Sequence, residues 1–365
     1  MSLVTFPLQP ALFTESPRVI AASSDISASA FRYPSGVEAL RLETPRGHVI
    51  VLPFLGQMIW EAVFDGRALA MGSLFPQPRH GDTILETYGA LAYHAGVLRN
   101  GTPGPQDDHP LHGEMPTKRF DAASLVFGHD QDGDFVELVS QVDHTTGFGP
   151  AYRATPRLRL QARKSLIDVE MVVQNRSAHP MELMYMLHAN FAFVAGARLH
   201  QPAPYDPAHV VVRRAVPSHV VPSDAFLSLL ADLGDNPARM ETLSEPHLYS
   251  PEQVFYIKGL GVDARGRSQQ VMELPEGDAF TLSHRPADLP HCVRWIFNDG
   301  DAQVAAFALP STCEPEGYSA EKAKGHVRML AAGQTARFPV TFGYLDEREA
   351  RAAIRAVQDL GKGNP

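Results

Sequence analysis

Residues 157–163 read RLRLQAR, with leucine and alanine alternating against charged and polar residues. Only an extended strand, whose side chains point to opposite faces in turn, gathers the apolar members of that pattern on one side. The next stretch, Leu166 to Val173 (LIDVEMVV), is apolar at most positions and reads as a more deeply buried strand, with Asn175-Arg176-Ser177 as the turn behind it. Met181 to Leu187 resumes an apolar run. Further strand candidates are Val49 to Phe54, Phe135 to Val142, Val254 to Ile257, Val293 to Phe297, Val304 to Leu309 and Arg337 to Tyr344. The 28 glycines and 30 prolines among 365 residues follow no period, so they supply turns between short elements rather than a fibrous repeat. This spacing predicts an all-β chain, a large sandwich of antiparallel sheets.

One helix is expected at the end. Asp346 to Leu360 (DEREARAAIRAVQDL) places Ala350, Ile354, Val357 and Leu360 on one face, Asp346 and Glu349 fit a capping box, and Gly361 fits a stop. The expected organisation is a single sandwich domain over residues 1–365, with its core from about 30 to 345 and the helix from about 346 to 360. Residues 200–250 carry Pro202, Pro204, Pro207, Pro217, Pro222, Pro237 and Pro246, and read as an irregular loop system over one face.

Charge and composition exclude several classes. The net charge is −9 with no basic run, whereas a phosphate backbone requires clustered Lys and Arg, so no nucleic-acid partner is expected. No apolar window approaches the roughly 20 residues that span a bilayer. The opening residues show no charged segment followed by an apolar one, so the expectation is a soluble, cytoplasmic protein. Cys292 and Cys313, the only cysteines, have neither a zinc nor a disulfide spacing.

No P-loop, dinucleotide fingerprint, nucleophile elbow or H-E-x-x-H appears. The candidates are polar residues at odd places in apolar strands. His188, in MELMYMLHANFAF, is desolvated by its flanks, so its proton affinity follows its neighbours; the alternative is a core histidine bonded to backbone. Glu314 follows the strand AAFAL in ALPSTCEPEGY, with Glu316 as a competing candidate. Arg294 in HCVRWIFN is a charge within an apolar strand and needs a partner, in a site or in a salt bridge. Glu252 stands at a strand entrance in YSPEQVFYI, and Arg99 in GVLRNG is suited to a hydroxyl or an anion. In DDHPLHGEMPTKRF, His109, His112 and Glu114 could ligate a metal, though Pro110 and Gly113 make the segment a turn whose polar groups need only be solvated.

Taken in order, these segments resemble the aldose 1-epimerase (galactose mutarotase) family, and most of all its bacterial branch. FLGQMIWEAVFDGRAL (54–69) resembles that family's first hairpin, and GVLRNG followed by PLHGE its Asn/Arg and Leu-His-Gly segments. VEMVVQNRSAHPMELMYMLHANFAF is similar to its strand–Asn–turn–strand run ending in a histidine. SPEQVFYI, CVRWIFN and STCEPEGY resemble its acidic, glutamine-bearing and Glu-Pro segments. The resemblance implies a mutarotase-like supersandwich that interconverts the α and β anomers of an aldose, with no cofactor and no metal. It implies Glu314 as the general base and His188 as the general acid, with Arg99, His112, Glu252 and Arg294 holding a sugar. Arg99-Asn100 reverses the family's order, and Glu252 and Arg294 replace its Asp and Gln, so the ring-hydroxyl contacts differ from those made to galactose and glucose. A small-molecule sugar is the implied partner of a monomer or homodimer. Two other readings stay open: a carbohydrate-binding protein without turnover, and a metal-dependent cupin-type isomerase using His109, His112 and Glu114.

Overall fold

A computed structural model describes residues 3–216 and 221–362. The alternating run at 157–163 lies in the strand Ala151–Gln161, ending two residues before Arg163. Leu158 and Leu160 are buried, while Arg157 and Arg159 turn outward to Glu137 and Asp130. The strand pairs antiparallel with Gly133–Thr145 on one side and Leu166–Asn175 on the other. Continued pairing makes a sheet of nine strands, through Thr335–Leu345 and Ala279–His284 to Arg198–His200.

The second sheet has fourteen strands, and its middle carries Gln253–Ile257, His291–Asn298, Gln303–Ser311, Met181–Ala189 and Ala92–Val97 in that spatial order. Its inner face packs on the first sheet: Tyr185 stacks on Phe338 at 4.7 Å between ring centroids, and Phe191 on Phe280 at 5.2 Å. Its outer face carries a second apolar layer, with Tyr93, Met186, Val254, Val293, Ala306 and Leu309 in one cluster and Trp295 and Tyr256 packed against it. These central strands are therefore buried on both faces, which is why they read as continuous apolar runs. The chain is an antiparallel β-sandwich with a C-terminal helix.

That helix, Glu347–Lys362, begins as expected: the Asp346 carboxylate accepts from Glu349 N–H, and the Glu349 carboxylate accepts from Asp346 N–H. Gly361 does not stop it, because the helix runs one residue further. Residues 200–250 are more ordered than their prolines suggested. They contribute Val210–Val212 to the edge of the large sheet and a helix, Asp224–Asp235, whose Ser223 cap accepts from Phe226 N–H. Pro217 lies outside the described residues.

Two loops close on one another beside the large sheet. Gly101 has a φ of +83°, and a Cβ there would fall 2.4 Å from the Pro315 carbonyl carbon. His112 N–H donates to Gly101 O, and Thr102 N–H to Pro315 O. Gly101→Ala is expected to destabilise the protein by about 1–3 kcal/mol from the backbone conformation alone, before the clash with Pro315 is added. Urea unfolding checks this, and an unchanged midpoint contradicts it.

Candidate functional site

Strand parity selects which side chains face the outer layer of the large sheet. On Met181–Ala189, Leu183, Tyr185 and Leu187 join the core between the sheets, while Met186 and His188 face the outer layer. His188 is only 3% exposed. Its ring stacks on Tyr93 at 4.8 Å and meets His112 edge-on at 4.8 Å, Trp295 at 5.7 Å and Tyr88 at 6.3 Å. The result is a cluster of aromatic rings packed around one imidazole.

The tautomer follows from the hydrogen bonds. Asn190 Nδ2 donates to Ala90 O, which leaves Asn190 Oδ1 to accept from His188 Nδ1–H at 2.8 Å. Nε2 therefore carries the lone pair. Burial lowers His188 to about 4, opposed only in part by the Asn190 bond, so the imidazole is neutral near pH 7. His112 is held in the same way: Asn100 Nδ2 donates to Cys313 Sγ, and Asn100 Oδ1 faces His112 Nδ1 at 3.4 Å. Burial, then the neighbouring His188 and His109, keep His112 well below its usual value.

The other wall is charged. Trp295 Nε1 donates to Glu252 Oε2 at 2.6 Å, and Glu252 Oε1 accepts from Arg213 Nη2 at 2.6 Å. Arg213 Nη1 lies 3.7 Å from Glu316 Oε1, to which the Tyr256 hydroxyl also donates. Burial, reinforced by the Glu316 carboxylate, holds the Tyr256 phenol firmly protonated. His112, His188, Trp295, Glu252, Arg213, Glu316 and Tyr256 thus form one connected chain of contacts.

Three of the expected residues stand elsewhere. Arg294 neighbours Trp295 on a strand and so faces the opposite side. It is buried between the sheets, donating to Phe307 O at 3.1 Å, Gln201 Oε1 at 2.8 Å and Tyr205 Oη at 3.3 Å, rather than to a ligand or a carboxylate. Arg99 folds onto the Tyr318 ring at 3.7 Å and pairs with Glu182 at 3.3 Å. Glu314 turns to Lys324 Nζ at 2.6 Å, in a cluster with Glu321 and His326. Glu316 instead meets Arg213 and Tyr256.

The potential metal ligands separate too. Glu114 accepts from Val97 N–H, Leu98 N–H and the Tyr152 hydroxyl, while His109 Nδ1 contacts Pro110 O. His109, His112 and Glu114 therefore do not converge on one point. Among the described residues, Glu314, Glu321 and His326 do bring ligand atoms together, but Lys324 Nζ already bridges Glu314 and Glu321, at 2.6 and 2.8 Å. No helix is long and apolar enough to cross a membrane among the described residues.

Tyr88, Tyr93, Arg213 and Tyr256 were not singled out from the sequence. Parity could have found Tyr256, which alternates with Phe255 on its strand; nothing local marks Arg213.

Residues 34–204 match a family described only as a domain of unknown function, DUF4432. That stretch holds His112 and His188, while Arg213, Glu252, Trp295 and Glu316 lie beyond it. No curated protein matches the sequence. A solved structure from Klebsiella pneumoniae, named as a candidate aldose 1-epimerase, superposes with a TM-score of 0.80 at 16% identity, covering 100% of this chain and 97% of that one. A galactose mutarotase-like protein from Clostridium acetobutylicum gives 0.56 at 13%, over 88% and 99% of the two chains. A candidate aldose 1-epimerase from Escherichia coli K12 gives 0.54 at 15%, over 83% and 97%. The fold is the galactose mutarotase-like β-sandwich.

His94, His188 and His284 are all buried, and desolvation lowers them from 6.5 to about 3, about 4 and about 3. The unfolded chain binds protons at these side chains as pH falls below 6.5, whereas the folded protein does not. Stability present above that pH is therefore lost on acidification, at about 1.4 kcal/mol per pH unit for each histidine. Urea midpoints should fall steadily below pH 6.5, and less steeply in His188→Asn. A flat profile down to about pH 4 contradicts the burial argument.

Proposed function

We propose that this protein is a carbohydrate isomerase of the aldose 1-epimerase type, with the aromatic and charged residues around His188 as its sugar site. The observation that carries the reading is His188: a buried, neutral imidazole with Nδ1 tied to Asn190 and its acceptor nitrogen unused among the described residues. The fold shared with proteins named for this activity supports it. Aromatic faces such as Tyr88 and Trp295 suit the apolar faces of a pyranose, and the carboxylates of Glu252 and Glu316 suit its hydroxyls.

Opening the ring moves one proton from the C1 hydroxyl to the ring oxygen. Neutral His188 takes that proton on Nε2, and the imidazolium so formed returns it to the ring oxygen as the C1–ring oxygen bond breaks. Rotation about C1–C2 followed by the reverse exchange closes the other anomer. One proton circulates, so neither carboxylate has to start protonated. Glu252 and Glu316, both paired with Arg213, supply acceptors for the sugar's hydroxyls while the proton moves. This assigns the acceptor role to histidine and the supporting carboxylate to Glu316 in place of Glu314.

Exchange NMR on neutral, deoxy, acidic and phosphorylated aldoses tests the reading. His188→Asn should lose about 10²–10⁴-fold in anomer exchange, the usual worth of a positioned acid or base. Glu316→Gln should lose roughly 10–100-fold, as expected when a positioning contact to the sugar is weakened. Glu314→Gln should stay near the parent rate, and the reverse order of the two glutamates overturns the assignment.

The pH profile separates the two roles open to His188. As the acceptor it works when neutral, so kcat/KM should hold down to about 4 and fall below. A rate that rises as pH falls toward 4 identifies it as the acid instead. Sugar binding without faster exchange in the parent protein would make this a carbohydrate-binding module.

A further inference from the structure

We infer that Arg213 is a positioning residue, which holds the carboxylates of Glu252 and Glu316 in register and through them fixes the Trp295 ring beside His188. The inference rests on the sugar-site reading above. Arg213 enters by main-chain pairing: it follows the edge strand Val210–Val212, and its own N–H donates to Val254 O at 2.8 Å. Its side chain is 12% exposed. The guanidinium stands between two like charges, with Nη2 at 2.6 Å from Glu252 Oε1 and Nη1 at 3.7 Å from Glu316 Oε1.

Each carboxylate has a second tie on the sheet. Glu252 Oε2 accepts from Trp295 Nε1 at 2.6 Å, and Glu316 accepts from Tyr256 Oη–H. Trp295 and Tyr256 lie on adjacent paired strands, where Val254 is opposite Trp295 and Tyr256 opposite Val293. Arg213 thus closes a loop of contacts running Trp295–Glu252–Arg213–Glu316–Tyr256 across two strands. Without the cation, Glu252 and Glu316 repel, and Glu252 loses the partner that aims it at the indole. A planar fork with several N–H donors can span both acids, whereas a lysine ammonium, a point charge on a flexible stem, cannot hold both in place.

The ring at stake is close to the chemistry, with Trp295 centred 5.7 Å from the His188 imidazole. Only Trp60 and Trp295 are tryptophans, so in a Trp60→Phe background the emission reports Trp295 alone. In that background, Arg213→Gln should shift and broaden the emission. In the otherwise unaltered chain it should lower kcat for anomer exchange on the order of 10–100-fold, the scale of a misplaced group. Arg213→Lys should recover only part of either signal.

Three outcomes discriminate. A parent protein that exchanges anomers, with an Arg213→Gln variant that keeps both kcat and the parental emission, overturns the inference. A parent protein with no exchange activity removes the functional reading, and the emission of Arg213→Gln still decides whether Arg213 orients Trp295. Full recovery by Arg213→Lys shows that charge alone suffices, which also overturns the bridging role.

Discussion

Burial of the large sheet's central strands on both faces is the constraint on which the rest of the site depends. The strand Met181–Ala189 has Leu183, Tyr185 and Leu187 in the core between the sheets and Met186 in the outer apolar layer. A shift of one residue in register would bring Leu187 to the outer layer and drive His188 into the inter-sheet core. Both layers favour a single register, so His188 is placed without a dedicated motif. The same burial strips it of water and makes it neutral, and Asn190, two residues on, selects its tautomer.

The charged wall depends on the same geometry. Trp295 and Arg294 are adjacent in sequence and opposite in space. The indole reaches Glu252, while the guanidinium ends among neutral acceptors in the core. Glu314 and Glu316 lie past the end of their strand, and there tertiary ties decide. Lys324, on the helix Tyr318–Lys324, captures Glu314, while Tyr256 and Arg213 receive Glu316. Gly101, backed against Pro315, allows that loop to approach the histidine-bearing one.

Much of the fold was legible. The alternation at 157–163, the apolar runs at 166–173 and 181–187 and the capped terminal helix all correspond to elements of the sandwich. The segment 200–250 was less so, because its prolines masked a sheet edge and a helix that are stabilised by what they pack against. Among the residues that gather around Trp295, His188, His112 and Glu252 could be named because polar residues stand out against apolar flanks. Arg294 stood out equally and faces the other way, since local contrast shows that a residue is unusual but not which face it serves.

The sequence by itself determined the class of fold, the strands that would be buried and which polar residues stand out within them, His188 among them, because side-chain alternation and hydrophobicity are local properties of the chain. Only the tertiary structure decided that Glu316 rather than Glu314 meets Tyr256 and that Arg213 joins it to Glu252. Arg213, Glu252, Trp295, Tyr256 and Glu316 are brought together by strand pairing and loop packing across more than a hundred residues of sequence. No local pattern encodes those long-range contacts.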